Sequence, residues 1–172
     1  HIPFANSTCS DNSPALISGS GTTGGAPKLL NMDPRRLYQV HYLYASQGQQ
    51  MMSRWGHAML RLVFCSPSRP EPGPDCLKDI SEHVVISFRA NVDDLIVDSW
   101  KGIVGKYPSQ LFLLSLTDVI YEYTQTELRD LISLPLKMSP SEQDQLLSRT
   151  LELYWMYRGK YLFFNNNCAT EV

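Results

Sequence analysis

His57-Ala58-Met59-Leu60-Arg61-Leu62-Val63-Phe64-Cys65 and Glu82-His83-Val84-Val85-Ile86-Ser87-Phe88-Arg89-Ala90 are the two stretches whose reading decides the fold. In each, β-favouring residues repeat with a period of two, which sends successive side chains to opposite faces of a strand. On the first, His57, Met59, Arg61 and Val63 share a face opposite Ala58, Leu60, Leu62 and Phe64. On the second, His83, Val85, Ser87 and Arg89 lie opposite Val84, Ile86 and Phe88. The segment between them carries Pro67, Pro70, Pro72, Gly73 and Pro74 and cannot be regular. Two strands joined by such a loop predict a β-hairpin with Cys65 and Cys76 at its stems.

Register follows from the faces. Setting Cys65 directly opposite Cys76 would put His57 against Val84 and mismatch the apolar sides, so a one-residue shift or a bulge is expected. His57 then lies across from His83 or Val85, with Ser87 as a diagonal neighbour. His83 and Ser87 are accordingly the candidates to orient His57.

The remaining strands and helices lie to either side. Tyr38, Val40, Tyr42 and Tyr44 alternate with Gln39, His41 and Leu43, a further strand. Residues 93–104 suggest another, ending at the Gly-bearing turn of 101–108. From Ser109 the pattern turns helical, with one helix expected over 117–132. Ser139-Pro140-Ser141-Glu142 marks the start of a second, which runs to about Tyr157. Residues 1–34, rich in Ser, Thr, Asn, Gly and Pro, read as a flexible N-terminal arm, and 35–172 as the folded domain. Strands first and helices after make an α+β protein, an antiparallel sheet packed with helices.

Of 172 residues 43% are hydrophobic and 19% charged, so the chain can bury a core. A net charge of −2 gives no basis for binding nucleic acid. No apolar run approaches the roughly 18 residues of a membrane helix. The chain opens at His1 and stops four residues after Cys168, so it is expected to be a domain of a larger protein, cut at its C-terminus.

Four cysteines are present: Cys9, Cys65, Cys76 and Cys168. Stem positions would bring Cys65 and Cys76 within bridging distance, which would imply an oxidising compartment. The other arrangements are two free thiols or a pairing with Cys9. No CxxC or HxxxH spacing occurs, so neither zinc nor another cofactor is expected. Cys168 follows the polar turn Asn165-Asn166-Asn167, where an Asn cap can start a helix. A thiol there has its pKa lowered by the helix end, and the N–H groups of Asn167 and Cys168 can hold an oxyanion. His57 at the mouth of its strand would complete a Cys–His nucleophile pair.

Four segments, in order, resemble the Lnb-type N-terminal periplasmic domain family. They are Ser53-Arg54-Trp55-Gly56-His57-Ala58-Met59-Leu60-Arg61; Lys101-Gly102-Ile103-Val104-Gly105-Lys106-Tyr107-Pro108; Glu122-Tyr123 with Glu127-Leu128-Arg129-Asp130-Leu131; and Tyr161-Leu162-Phe163-Phe164-Asn165-Asn166-Asn167-Cys168-Ala169-Thr170. The resemblance implies a circularly permuted papain-like or NlpC/P60-like thiol enzyme in which His precedes Cys. It also implies a lipoprotein intramolecular transacylase, which moves an acyl chain from the diacylglyceryl group of a bacterial lipoprotein to that lipoprotein's N-terminal amine. Carried over, Cys168 is the nucleophile and His57 its base, in a periplasmic, membrane-proximal protein. Trp55 departs from the family's Phe, Ser87-Phe88 stands near its Asn-Phe, and the segment 130–134 lacks its Trp-Glu-Tyr core. Tyr107, Glu127 and Arg129 then have two readings, as scaffold or as lining of a lipid site. The alternatives to the transferase are a thiol hydrolase of the same fold and a non-catalytic binding module.

Overall fold

The computed structural model describes residues 16–19, 28–48, 56–90, 107–156 and 159–161. Strands β1 (Leu16–Ser18) and β2 (Leu29–Asn31) form an antiparallel ribbon. The main sheet contains β3 (Leu37–Ala45), β4 (His57–Phe64), β5 (Val84–Ala90), β6 (Tyr107–Ser115), β7 (Leu131–Pro135) and β8 (Gly159–Tyr161) in the order β7-β3-β4-β5-β6-β8. Every neighbouring pair is antiparallel. Helix α1 (Leu116–Ile120) runs on into a π-helical turn at Tyr121–Thr126, and α2 (Pro140–Met156) follows β7. The protein is thus α+β, an antiparallel sheet with two helices among the described residues.

The period-two pattern sorts side chains onto two buried faces. On one, Val40, Leu60, Leu62, Phe64, Val84, Ile86, Phe88, Leu111 and Leu113 pack under the ribbon residues Ile17 and Leu30 and under Leu147 of α2. On the other, Leu43, Ala45, Met59, Val85 and Leu114 pack under Leu116 and Val119 of α1 and Tyr123 of the π turn. Helix α2 begins as its sequence predicts. Ser139 Oγ and N both bond Glu142 Oε2 at 2.7 Å, and Glu142 N donates back to Ser139 Oγ, the reciprocal bonding of a capping box.

Four expectations change. The ribbon lies within the stretch read as a flexible arm, and Ile17, Leu30 and Met32 are core residues; Tyr154 Oη of α2 also bonds the Ser18 carbonyl at 2.8 Å. Residues 109–115 extend as β6 instead of turning helical, because Leu111 and Leu113 serve one core and Phe112 and Leu114 the other. The helix expected over 117–132 stops at Thr126. Leu128 adopts φ 53°, which no helix accommodates, and the chain re-enters the sheet as β7. Finally, Cys76 is not at a strand stem. Short 3-10 turns at Pro74–Lys78 and Ile80–Glu82 occupy the residues between it and β5.

The disulfide forms all the same, joining Cys65 to Cys76 with Cα atoms 4.6 Å apart, against Val63 and Tyr38. Asp79 braces this loop by accepting from Ser66 N and from Arg69, at 2.9, 2.5 and 2.7 Å. Those bonds hold its carboxyl down at about 2. Residues 93–104, read as a strand, lie outside the described residues.

Candidate active site around His57

The observed register of β4 on β5 is Leu60↔Ile86, Arg61↔Val85 and Leu62↔Val84. It differs by five positions from a ladder built on Cys65 opposite Cys76, since the 3-10 turns absorb the intervening chain. His83 therefore sits at the disulfide end of the hairpin, away from His57. Its Nε2 donates to the Cys76 carbonyl at 2.9 Å, and its Nδ1 accepts from Arg61 at 2.9 and 3.3 Å. With both ring nitrogens taken, His83 does not orient His57. It belongs to a second network in which Arg61 also donates to Ser133 Oγ, and His41 bonds Ser133 and Gln39. Burial first, then the Arg61 charge, keeps His83 neutral, with its pKa down to about 4 despite the bond to Cys76.

Ser87 does meet His57. Its Oγ lies 2.8 Å from His57 Nε2, and Ser87 is fully buried. Gly56, at φ 75°, leads the chain into β4; a Cβ there would fall 2.4 Å from the Tyr44 hydroxyl. Only a glycine lets the strand start so close to that ring.

The rest of the site comes from the π turn and the strands beside it. Tyr123 stacks on the half-buried His57 ring, with centroids 6.0 Å apart and planes 15° from parallel. Arg89, two residues beyond Ser87 on the same face, donates its Nε–H to Ser87 Oγ at 3.0 Å. Its two terminal nitrogens clasp Glu122 at 2.9 and 3.1 Å. Arg129 lies over the Tyr123 ring, 5.0 Å from its centroid. It donates to the carbonyls of Ala45 and Ser46 and to Glu127, at 3.2, 2.5 and 2.7 Å. Of the two readings for Glu127 and Arg129, these bonds supply the scaffold one: they tie the turn before β7 to the end of β3.

Burial, and then the charges of Arg89 and Arg129, pull the His57 pKa down to about 3. The imidazole is neutral at neutral pH. Burial likewise pushes the Tyr123 phenol up, so it stays protonated. Neutral imidazole is the form that can exchange protons with a thiol, and its ring is held by the Ser87 hydroxyl at Nε2 and by the Tyr123 ring stacked on its face.

The residues sequence reasoning missed are Arg89, Glu122 and Tyr123. Arg89 shares the alternating face with Ser87, which was a usable signal. Glu122 and Tyr123 stand in one of the segments that resemble the family, but no periodicity in the sequence marks the π turn that brings them over the sheet. Cys168 and Asn167 lie outside the described residues, as do Cys9 and the segments 49–55 and 101–106. Tyr107 opens β6, but its side chain lies outside the description. Among the described residues no group of His, Cys, Asp and Glu could hold a metal ion.

Fold and site together define a disulfide-bearing α+β domain with a neutral, hydrogen-bonded histidine at the head of a sheet strand. Residues 28–172 match the family described as the Lnb N-terminal periplasmic domain, and the chain belongs to that family. Among curated proteins and among solved structures, none matches the chain. The protein is periplasmic, and the disulfide suits that oxidising compartment. No described helix is long and apolar enough to cross a membrane.

Proposed function

We propose that this domain is a cysteine-dependent acyltransferase acting on bacterial lipoproteins close to the membrane surface, in a fold of the permuted papain-like or NlpC/P60-like kind. The observation that carries the reading is His57, held neutral and fixed by Ser87 and Tyr123, in a member of the Lnb N-terminal periplasmic domain family. His57 precedes Cys168 in the chain, the order such a permutation requires.

In the proposed cycle, His57 takes the Cys168 proton as the sulfur attacks an ester carbonyl of the diacylglyceryl group. The tetrahedral oxyanion is held by the N–H groups of Cys168 and Asn167. Collapse breaks the ester C–O bond, His57 returns the proton to the departing glyceryl oxygen, and the acyl chain stays on sulfur as a thioester. The lipoprotein's own α-amine then attacks the thioester. His57 receives the ammonium proton and reprotonates the sulfur as the amide forms. A neutral imidazole suits this sequence, since its proton moves with each attack and no ion pair with the thiol has to be dismantled first. No cofactor takes part in the cycle.

The test is incubation with a synthetic diacylated lipopeptide beside the Cys168→Ala variant, followed by fragmentation mass spectrometry. Transfer relocates one acyl chain to the amine at unchanged mass, in the parent protein only. Loss of one chain to water would instead make the domain a hydrolase. An unaltered lipopeptide with a folded domain would favour a binding module.

A further inference from the structure

We infer that Arg89, itself pinned by Glu122, is a positioning residue that fixes which ring nitrogen of His57 carries the proton, placing it on Nδ1. The assignment follows from counting donors and acceptors around Ser87. A serine hydroxyl has one hydrogen to give and two lone pairs. Ser87 is fully buried, and among the described residues its Oγ has two hydrogen-bond partners, Arg89 Nε at 3.0 Å and His57 Nε2 at 2.8 Å. A guanidinium nitrogen can only donate, so Arg89 occupies a lone pair of Oγ. The hydroxyl hydrogen then needs an acceptor, because a buried donor left unpaired forfeits its hydration with nothing in return. His57 Nε2 is the one partner able to accept. Ser87 therefore donates to Nε2, whose lone pair is spent on that bond, and the neutral ring carries its hydrogen on Nδ1.

Arg89 is not free to turn away. Glu122 accepts from both of its terminal nitrogens, and the Tyr123 ring stacked on His57 restrains the imidazole from rotating off Ser87. Arg89 thus donates to Glu122 on one side and to Ser87 on the other, Ser87 donates on to His57, and the bonds polarise one another. The bearing of this arrangement on catalysis rests on the acyltransferase reading; the tautomer does not. At rest, Nδ1 is a donor, suited to a thiolate or an oxyanion. The tautomer able to accept a thiol proton at Nδ1 is the other one, with the ring hydrogen on Nε2 and Ser87 Oγ accepting from it. Arg89 and Ser87 together favour the Nδ1–H form over that one.

The structure supplies its own standard. His83 donates from Nε2 to a carbonyl and accepts at Nδ1 from Arg61, the opposite tautomer. Long-range proton–nitrogen correlation spectra of the histidine-labelled protein at pH 7 should show His57 with a pyrrole-type Nδ1 and pyridine-type Nε2, and His83 reversed. Ser87→Ala should move His57 toward the Nε2–H form without moving His83. The charge-neutral pair Arg89→Met with Glu122→Gln should give His57 a measurable Nε2–H share. A parent spectrum with His57 in the Nε2–H form would overturn the inference, and needs no variant to fold. A doubly substituted protein that kept His57 wholly on Nδ1–H would remove Arg89 from the role. If the spectra agree while the lipopeptide stays unprocessed, the acyltransferase reading fails and the tautomer assignment stands.

Discussion

Gly56→Ala tests how the backbone sets the site. The residue sits at φ 75°, and an added Cβ would lie 2.4 Å from the Tyr44 hydroxyl oxygen and 2.7 and 2.8 Å from two ring carbons. Holding alanine in a left-handed conformation costs about 1–2 kcal/mol. Forcing a methyl into an occupied space costs about 1–3 kcal/mol. Tyr44 is half-buried and can swing aside, so the lower half of that range applies. Against this, alanine loses less entropy on folding, which returns about 0.4–1 kcal/mol. The net destabilisation expected is roughly 2–3 kcal/mol. Denaturant unfolding followed by fluorescence reads it as a lower midpoint with an unchanged slope. A double-mutant cycle with Tyr44→Ala separates the two causes: the steric part should vanish, leaving the conformational cost and a coupling of about 1–2 kcal/mol. A loss below about 0.5 kcal/mol, or a cycle with no coupling, would refute the reasoning.

Other outcomes follow from the same geometry. His83 binds a proton in the unfolded chain at about pH 6.5 but in the folded one only near 4, so its contribution to stability is full above 6.5 and is lost as pH falls toward 4. At pH 5 that loss is about 2 kcal/mol, and unfolding measured between pH 7 and 5 should be flatter by that amount in His83→Gln. Reducing the Cys65–Cys76 bridge, which closes an 11-residue separation, should cost about 3 kcal/mol, read as a drop in the thermal midpoint with reductant. Arg129→Met strands the Ala45 and Ser46 carbonyls and should cost about 3 kcal/mol by denaturant unfolding. Glu127→Gln, at a site 31% exposed, should cost under about 1 kcal/mol. His57→Gln should lower acyl transfer to a lipopeptide by about 10²- to 10⁴-fold in a timed mass-spectrometric assay.

Elements with one clear periodicity were readable in advance. β3 and β4 alternate because each presents distinct faces, and α2 announces itself through Ser139, Pro140 and Glu142. β6 was not readable, for a physical reason: Leu111, Phe112, Leu113 and Leu114 feed two cores at once, which erases the alternation a half-buried strand shows. The end of the first helix is hidden likewise. Leu128 takes the left-handed conformation usually signalled by glycine, so nothing in its identity marks the break. At the site, Ser87 was reachable from the alternation of β5, whereas the distance of His83 from His57 depends on 3-10 turns that no pattern predicts. The Pro-rich loop suggested the disulfide but not the register. The five-position offset in register arises in the 3-10 turns between Cys76 and β5.

The central claim is that Cys168 carries the acyl chain. Intact-protein mass spectrometry after brief exposure to a diacylated lipopeptide, quenched in acid, tests it most directly. The account predicts a species heavier by one acyl chain, located on Cys168 by fragmentation, removed by hydroxylamine and missing from Cys168→Ala. A processed lipopeptide with no such adduct, or one formed equally in the Cys168→Ala protein, would contradict it.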